Sequence, residues 1–432
     1  MSDISRPKPA PDEVKQPPRP KLLAVMGPGL ITGASDDDPS GIATYSQAGA
    51  QFGYGVAWTL LFSYPLMCAI QQISAEIGRV TGMGLAANMR RHAPRWLLAG
   101  MVGLLLVANT INIGADLGAM AAAIHLLVPV PLPLGIALFT VLSVLLEVYV
   151  RYSRYVSVLK WLTVSLFAYV ATVFVVGVPW GRAVAGTLLP HLQLSGDYLT
   201  VVVAVLGTTI SPYLFFWQAG EEVELAKEHP DAKPLKAAPE QAPNELRRIR
   251  IDTYTGMAFS NLVALAILIT TAAALHAHGI TNIQTSAQAA LALKPLAGRF
   301  AFTIFALGII GTGLLALPVL AGSAAYALGE AFDWPVGLAL KANRARAFYG
   351  TIVVAMLAGA LMNFSPLDPI KALFWSAVVN GVVAVPVMAM MMVLASSRTV
   401  MGAFSLRPLL RAIGWIATIV MLLAAIGMFA TL

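Results

Sequence analysis

The sequence predicts an all-α polytopic membrane protein of about eleven transmembrane helices, arranged as inverted five-helix repeats in which helices 1 and 6 are broken. Three observations carry that prediction. The 432 residues are 58% hydrophobic and only 11% charged, with a mean hydropathy of +0.76, which leaves too few charges to cover a water-soluble globule of this size. Lys and Arg gather in short clusters between apolar runs, and a cluster follows every even-numbered run. The first and sixth runs each carry a proline behind polar residues, where a spanning helix cannot continue smoothly.

Taken in order, residues 1–21 are rich in proline and charge and read as a disordered cytoplasmic tail, with no small-residue cleavage site of a signal peptide. Apolar runs follow near 22–52, 54–78, 98–127, 132–150, 155–178, 198–222, 252–275, 299–328, 346–363, 368–396 and 407–430. Arg79, Arg90, Arg91 and Arg95 come after the second run, and Arg151, Arg154 and Lys160 after the fourth. Lys233, Lys236, Arg247, Arg248 and Arg250 come after the sixth. Lys341, Arg344 and Arg346, then Arg398, Arg407 and Arg411, come after the eighth and tenth. The other connections hold fewer, among them Arg182, Lys294, Arg299 and Lys371. A multi-pass protein of the cell (inner) membrane is expected, and the positive-inside tendency places its N-terminus in the cytoplasm and its C-terminus outside. Residues 22–178 form the first five-helix repeat and 198–396 the second, with 407–430 as an extra C-terminal helix. The longest connection, 221–250, has mixed charge and four prolines and is expected to be a cytoplasmic loop, partly helical near its ends.

The first break falls in Met26 to Gly55, MGPGLITGASDDDPSGIATYSQAGAQFGYG, where Asp36, Asp37 and Asp38 are followed by Pro39, Ser40 and Gly41. Proline removes a backbone donor and pushes its predecessor out of the helical region, so the helix is expected to open at about Asp37 to Gly41. A solvent loop between two helices is the alternative, but the flanks Leu22–Ser35 and Ile42–Gly55 are too short to span alone. Charge and irregular backbone at membrane depth are tolerated where they line a polar cavity. The second break is Gly207-Thr208-Thr209-Ile210-Ser211-Pro212-Tyr213. A lone kinking proline is common in membrane helices, but breaks at corresponding positions of two halves point to an inverted-repeat, LeuT-like transporter with its site between them.

If the two breaks face one another, the cavity holds the carboxylates of Asp36, Asp37 and Asp38, the hydroxyls of Ser40, Thr208, Thr209 and Ser211, and freed carbonyls. All are oxygen ligands, suited to hard divalent ions such as Mg²⁺, Mn²⁺ and Ca²⁺. A doubly charged ion also offsets the several kcal/mol that burying each carboxylate costs. Asp38, beside Pro39, is the expected direct ligand, with Asp36 and Asp37 at the entrance, acting through water, or capping the outer half-helix.

GPGLITGASDDDPSG resembles the first-helix signature of the NRAMP family of divalent metal transporters, and TTISPYLFF falls where that family carries Ala-x-x-Met-Pro-His. Ala115-Asp116-Leu117-Gly118-Ala119 is similar to its Thr-Asp-Leu-Ala-Glu run. The resemblance implies that Asp38 matches the metal-binding aspartate, Gly41 stands at the binding asparagine, Thr208 at the alanine whose carbonyl binds the ion, and Ser211 at the methionine whose sulfur does. Tyr213 replaces a histidine linked to proton movement. Asp116 matches a proton-pathway aspartate, while Asn109 and Ala119 occupy positions acidic in many members. Without the methionine, the set is similar to the NRAMP-related magnesium transporter branch. The resemblance therefore implies import of Mg²⁺ or Mn²⁺ by alternating access with weak or no proton coupling; the alternative is a proton-coupled Mn²⁺/Fe²⁺ symporter of the same fold. Asp116 is expected either to titrate or to pair with Arg344 or Arg346.

Other residues carry weaker signals. Asn380 faces the cavity or bonds a neighbouring helix; Asp252 and Asn261 share that ambiguity. His276 and His278 are too few for a metal site and read as exposed polar groups. Glu76 and Glu147 are placed to pair with Arg79 and Arg151. A single cysteine, Cys68, excludes a disulfide framework and reads as packing. A Mg²⁺-dependent, prenyltransferase-like membrane enzyme would need a second Asp-rich motif, an intramembrane aspartyl protease a second aspartate in glycine context, and neither is present. The net charge of +7 is spread between spans, so no nucleic acid is expected. No cofactor or obligatory protein partner is indicated; the partners are the divalent ion and the bilayer.

Overall fold

A computed structural model of the chain describes residues 28–150, 164–229, 231–364 and 368–431. The tail 1–21, the start of the first run, the basic residues Arg151, Arg154 and Lys160, and the first part of the fifth run lie outside the described residues. Among those described the structure is helical throughout, with no strand.

The first span is α1 (Pro28–Asp36) and α2 (Pro39–Phe52), separated by Asp37 and Asp38. Asp38 is extended, with φ −67° and ψ 170°, and serves as the N-cap of α2. The break is therefore narrower than the 37–41 expected: Pro39 takes the first helical position, where its missing N–H costs nothing and its fixed φ suits the turn, and Ser40 and Gly41 are already helical. After Gly53, whose φ of 57° ends α2, the chain turns through 106° into α3 (Trp58–Thr81). A short surface helix, α4 (Leu85–His92), leads to the long α5 (Arg95–His125) and then α6 (Leu132–Tyr149). α7 (Phe167–Val173) lies within the described part of the fifth run, residues 164–178, and α8 (Trp180–Leu188) lies in the connection to the second half.

The sixth run repeats the first one's design. α9 (Gly196–Thr209) and α10 (Pro212–Glu228) are parted by Ile210 and Ser211, with Ser211 extended (φ −83°, ψ 131°) ahead of a proline at the first position. Gly207 to Thr209 close α9 and Tyr213 opens α10, so this interruption is also two residues long. α11 (Ala242–Ala274), α12 (Ala301–Ala331), α13 (Arg346–Met362), α14 (Pro369–Ser396) and α15 (Pro408–Thr431) complete the bundle. Among the described residues seven helices, or eight if a bent pair counts as one span, are long and apolar enough to cross a membrane. The remaining runs fall short by that measure because a break or an undescribed stretch divides them, or, as with the 17 residues of α13, by length.

Close approaches at small residues hold this frame together, as expected where lipid removes the hydrophobic drive between helices. α11 runs alongside both halves of the first span: a side chain at Gly29 would come 2.7 Å from the Thr253 amide, and one at Gly33 would overlap the Gly256 backbone. Gly207 of α9 seats against Gly381 of α14 beside the second break, and Gly114 of α5 packs on Gly359 of α13. The loop after α10 is less free than its composition suggests. Arg79, at the end of α3, donates to the Lys233 carbonyl at 2.5 Å, Gln241 Oε1 at 3.1 Å and Glu245 Oε2 at 3.1 Å, and Leu235 is buried beneath it. The expected Glu76–Arg79 pair is thus replaced by Arg79–Glu245, while Glu76 accepts from Gln72 at 2.7 Å.

Glycine packing makes one prediction. Gly114→Val, whose Cβ would sit 2.7 Å from the Gly359 carbonyl oxygen, should cost about 1–3 kcal/mol and lower the melting temperature in detergent. Gly100→Val, with nothing within 4 Å, should leave it unchanged. Equal shifts in the two variants would contradict the packing described.

Candidate metal site

The three adjacent aspartates diverge at the break. Asp38 turns back over the start of α2, where its Oδ1 accepts from the Gly41 amide and the Ser40 hydroxyl, each at 2.7 Å. That is an N-cap made by a carboxylate, favoured by the helix dipole. Its Oδ2 faces α5 and α10 and accepts from Asn112 Nδ2 at 3.1 Å and the Tyr213 hydroxyl at 3.4 Å. Asp36 and Asp37 point the other way, toward α11, where the Ser260 hydroxyl lies 2.7 Å from Asp36 Oδ2 and 3.2 Å from Asp37 Oδ1. All three are buried, with 0%, 5% and 2% of their surface exposed for Asp36, Asp37 and Asp38.

The two breaks are in contact. Gly41 lies where an added Cβ would meet the Thr208 methyl at 3.1 Å, the Asp36 carbonyl oxygen at 3.3 Å and the Tyr45 ring at 3.4 Å. A larger residue there would wedge the half-helices apart. Tyr213, from the first turn of α10, reaches across to the Ser35 carbonyl at 3.4 Å as well as to Asp38.

Among the described residues several buried oxygens have no hydrogen-bond partner: Asp36 Oδ1 and the Thr208 hydroxyl at this junction, both oxygens of Asp116 on α5, and Asn380 Oδ1 on α14. Asp116, on α5, lies within electrostatic range of Asp38. Among the described residues none of these four aspartates forms an ion pair, so the expected Asp116 pairing with Arg344 or Arg346 is absent. Buried carboxylates without a counter-charge are costly by several kcal/mol each, a cost relieved by a bound cation or a proton. No three His, Cys, Asp or Glu side chains among the described residues are grouped to hold an ion, so Asp38 would act with neutral oxygens rather than inside an acidic cage.

Other candidates are placed differently. The Ser211 hydroxyl donates to the Gly207 and Thr208 carbonyls at 2.7 and 2.9 Å, tying off the last turn of α9. Asn109 donates to the Leu320 carbonyl and the Ser323 hydroxyl, each at 2.8 Å, and so clamps α5 to α12. Asp252 accepts from the Gly29 amide at 2.7 Å and anchors the start of α1. His276 and His278 bond to the carbonyls of Ala50 and Ala274. Glu147 is buried with neither oxygen partnered among the described residues, and Arg151 lies outside them.

Three residues beside the aspartates escaped the sequence reading: Asn112, Ser260 and Ser376, whose hydroxyl donates to Asn112 Oδ1 at 2.7 Å and so fixes the amide that faces Asp38. Asn112 had a legible signal, because Asn109, Asn112 and Asp116 are spaced by three and four and share a face of α5. Ser260 and Ser376 had none; a single serine in an apolar helix more often bonds its own backbone.

Known proteins resemble the chain in sequence and in fold. At 27% identity over 408 residues, the chain matches the divalent metal cation transporter MntH of Aeromonas hydrophila, covering 92% of this chain and 93% of that protein. Its fold is similar to that of the Eremococcus coleocola manganese transporter solved with an aromatic bis-isothiourea substituted compound, with TM-score 0.73 and 18% identity over 95% of this chain and 87% of that one. It is also similar to MhsT in complex with L-phenylalanine, with TM-score 0.61 and 14% identity over 92% and 98%. The model of the natural resistance-associated macrophage protein-like (Nramp) family matches residues 29–431, and with nearly the whole chain covered, this protein belongs to that family.

Proposed function

We propose that the chain imports a divalent metal cation, Mg²⁺ or Mn²⁺, by alternating access of its two five-helix halves, 22–178 and 198–396, around an ion held between the breaks. The observation that carries this reading is Asp38: a buried carboxylate without a cationic partner, seated where two interrupted helices touch. The relatives' own descriptions, a divalent metal cation transporter and a manganese transporter, support the class of cargo. Asp38 is the proposed direct ligand. The Thr208 and Asn380 oxygens and the backbone at Gly41 and Thr208 complete an oxygen-rich surround, and Asp36 and Asp37, bonded to Ser260, act in the approach path or through water. With serine at 211 no thioether comes from that position, which favours a hard ion that retains part of its hydration shell.

The topology we propose puts the N-terminus and the 221–250 loop in the cytoplasm and the C-terminus outside. Coupling to protons is proposed to be weak, because Asn109 and Tyr213 are neutral and already hydrogen-bonded, and residue 119 is alanine. One observation favours the second reading, a proton-coupled symporter: Asp116 is buried, unpartnered and near Asp38, so it is placed to take up a proton.

Three outcomes test these statements in proteoliposomes. Asp38→Ala should cut Mg²⁺ or Mn²⁺ uptake roughly a hundredfold or more, since removing one partner of a buried ionic contact costs about 3–5 kcal/mol. Uptake at the wild-type rate in a folded variant removes Asp38 from the site. Ser211→Met should make Cd²⁺ a stronger competitor of Mn²⁺, and an unaltered competition ratio places residue 211 away from the ion. A lumenal pH dye should record little acidification during uptake. Stoichiometric acidification that disappears in Asp116→Asn would establish the symporter instead.

A further inference from the structure

On the basic side of the bundle, away from the two breaks, a cleft of about 720 Å³ opens between α3, α11 and the segment that leads into α15. Arg247 and Arg250 of α11 and Arg407, just before α15, line it. All three are exposed, and among the described residues none of their guanidinium groups makes an ion pair or a hydrogen bond. One carboxylate lines the cleft, Glu76, which is held at 2.7 Å by Gln72 on its own helix and feels the field of Arg250 and Arg407. The balance of the lining charge is positive. The opposite wall is apolar, formed by Leu409, Leu410 and Ile413, and it runs without interruption into the outward face of α15, where Leu409, Ile416, Leu423 and Ile426 are exposed.

Cationic groups at the end of a spanning helix, joined to an apolar stripe along the same helix, match an amphiphile with a negative head and acyl tails. A soluble anion would use only the arginines, and an uncharged lipid only the stripe. We propose that this cleft binds the headgroup of an anionic phospholipid from the leaflet on the basic side, with its tails along α15. Arg250 and Arg407 hold the phosphate from two sides, and the lipid thereby ties the extra C-terminal helix to α3 and α11. None of the residues of the two breaks lines this cleft, and the proposal does not depend on which ion is carried.

The test uses the full chain, delipidated in detergent, with lipid retention read by native mass spectrometry and melting temperature followed during titration. Phosphatidylglycerol should be retained and should raise the melting temperature; phosphatidylcholine and inorganic phosphate should do neither at equal concentration. Arg250→Gln/Arg407→Gln should raise the half-saturating phosphatidylglycerol concentration roughly tenfold or more, as loss of two near-surface cations implies. Arg344→Gln, a basic residue outside the cleft, should bind like the wild type. Glu76→Gln should bind more tightly, because it removes the cleft's one negative charge and leaves an amide able to meet Gln72. Wild-type affinity in the double variant overturns the proposal. So does equal stabilisation by phosphatidylcholine, or by inorganic phosphate alone, which would make the cleft an apolar groove or a free-anion site. If the double variant does not fold, an unchanged or weakened affinity in Glu76→Gln overturns it independently.

Discussion

A buried carboxylate with no basic side chain paired to it among the described residues is the constraint on which the rest of the architecture depends. Asp38 is stabilised locally by the amide of Gly41 and the hydroxyl of Ser40, and from across the molecule by Asn112 and Tyr213. Those donors are all neutral. They can hold a charged oxygen in place, but they do not cancel its charge, and the proposed cation site relies on that. A salt bridge from arginine would have satisfied the carboxylate permanently. Neutral donors keep it both ordered and available.

The frame follows from the same requirement. To bring an uncompensated acid to mid-bundle, the first helix must end and restart within two residues, and proline at the first position of α2 achieves this without an orphaned donor. The sixth run repeats the device at Ser211 and Pro212. Half-helices are individually short, so they need rigid neighbours: α11 runs along α1 and α2 through Gly29, Gly33 and Gly49, and α14 backs α9 through Gly381. The approach of Gly41 to Thr208 joins the two halves beside their interruptions.

Much of this was legible in the sequence, and the exceptions have physical causes. Composition and the alternation of basic clusters indicated a polytopic helical chain, and the two prolines behind polar residues located both interruptions. Their length was misjudged because proline's effect falls mainly on the residue before it, so Ser40 and Gly41 rejoin the helix. The three aspartates look equivalent in sequence, yet consecutive side chains across an extended residue must diverge, which sends Asp36 and Asp37 to Ser260 and Asp38 to Asn112. Ser260 and Ser376 were invisible because nothing local distinguishes a serine that reaches across a helix interface from one that bonds its own carbonyl. Arg79 was expected to pair within its own helix; it instead holds a loop more than 150 residues away in sequence, a contact that only tertiary structure reveals.

The most direct measurement is anomalous diffraction from crystals loaded with Mn²⁺. A peak is expected within bonding distance of an Asp38 carboxylate oxygen, between the end of α9 and the start of α2, with oxygen atoms as its neighbours. A peak bound elsewhere, or one ligated by sulfur or imidazole, would contradict it.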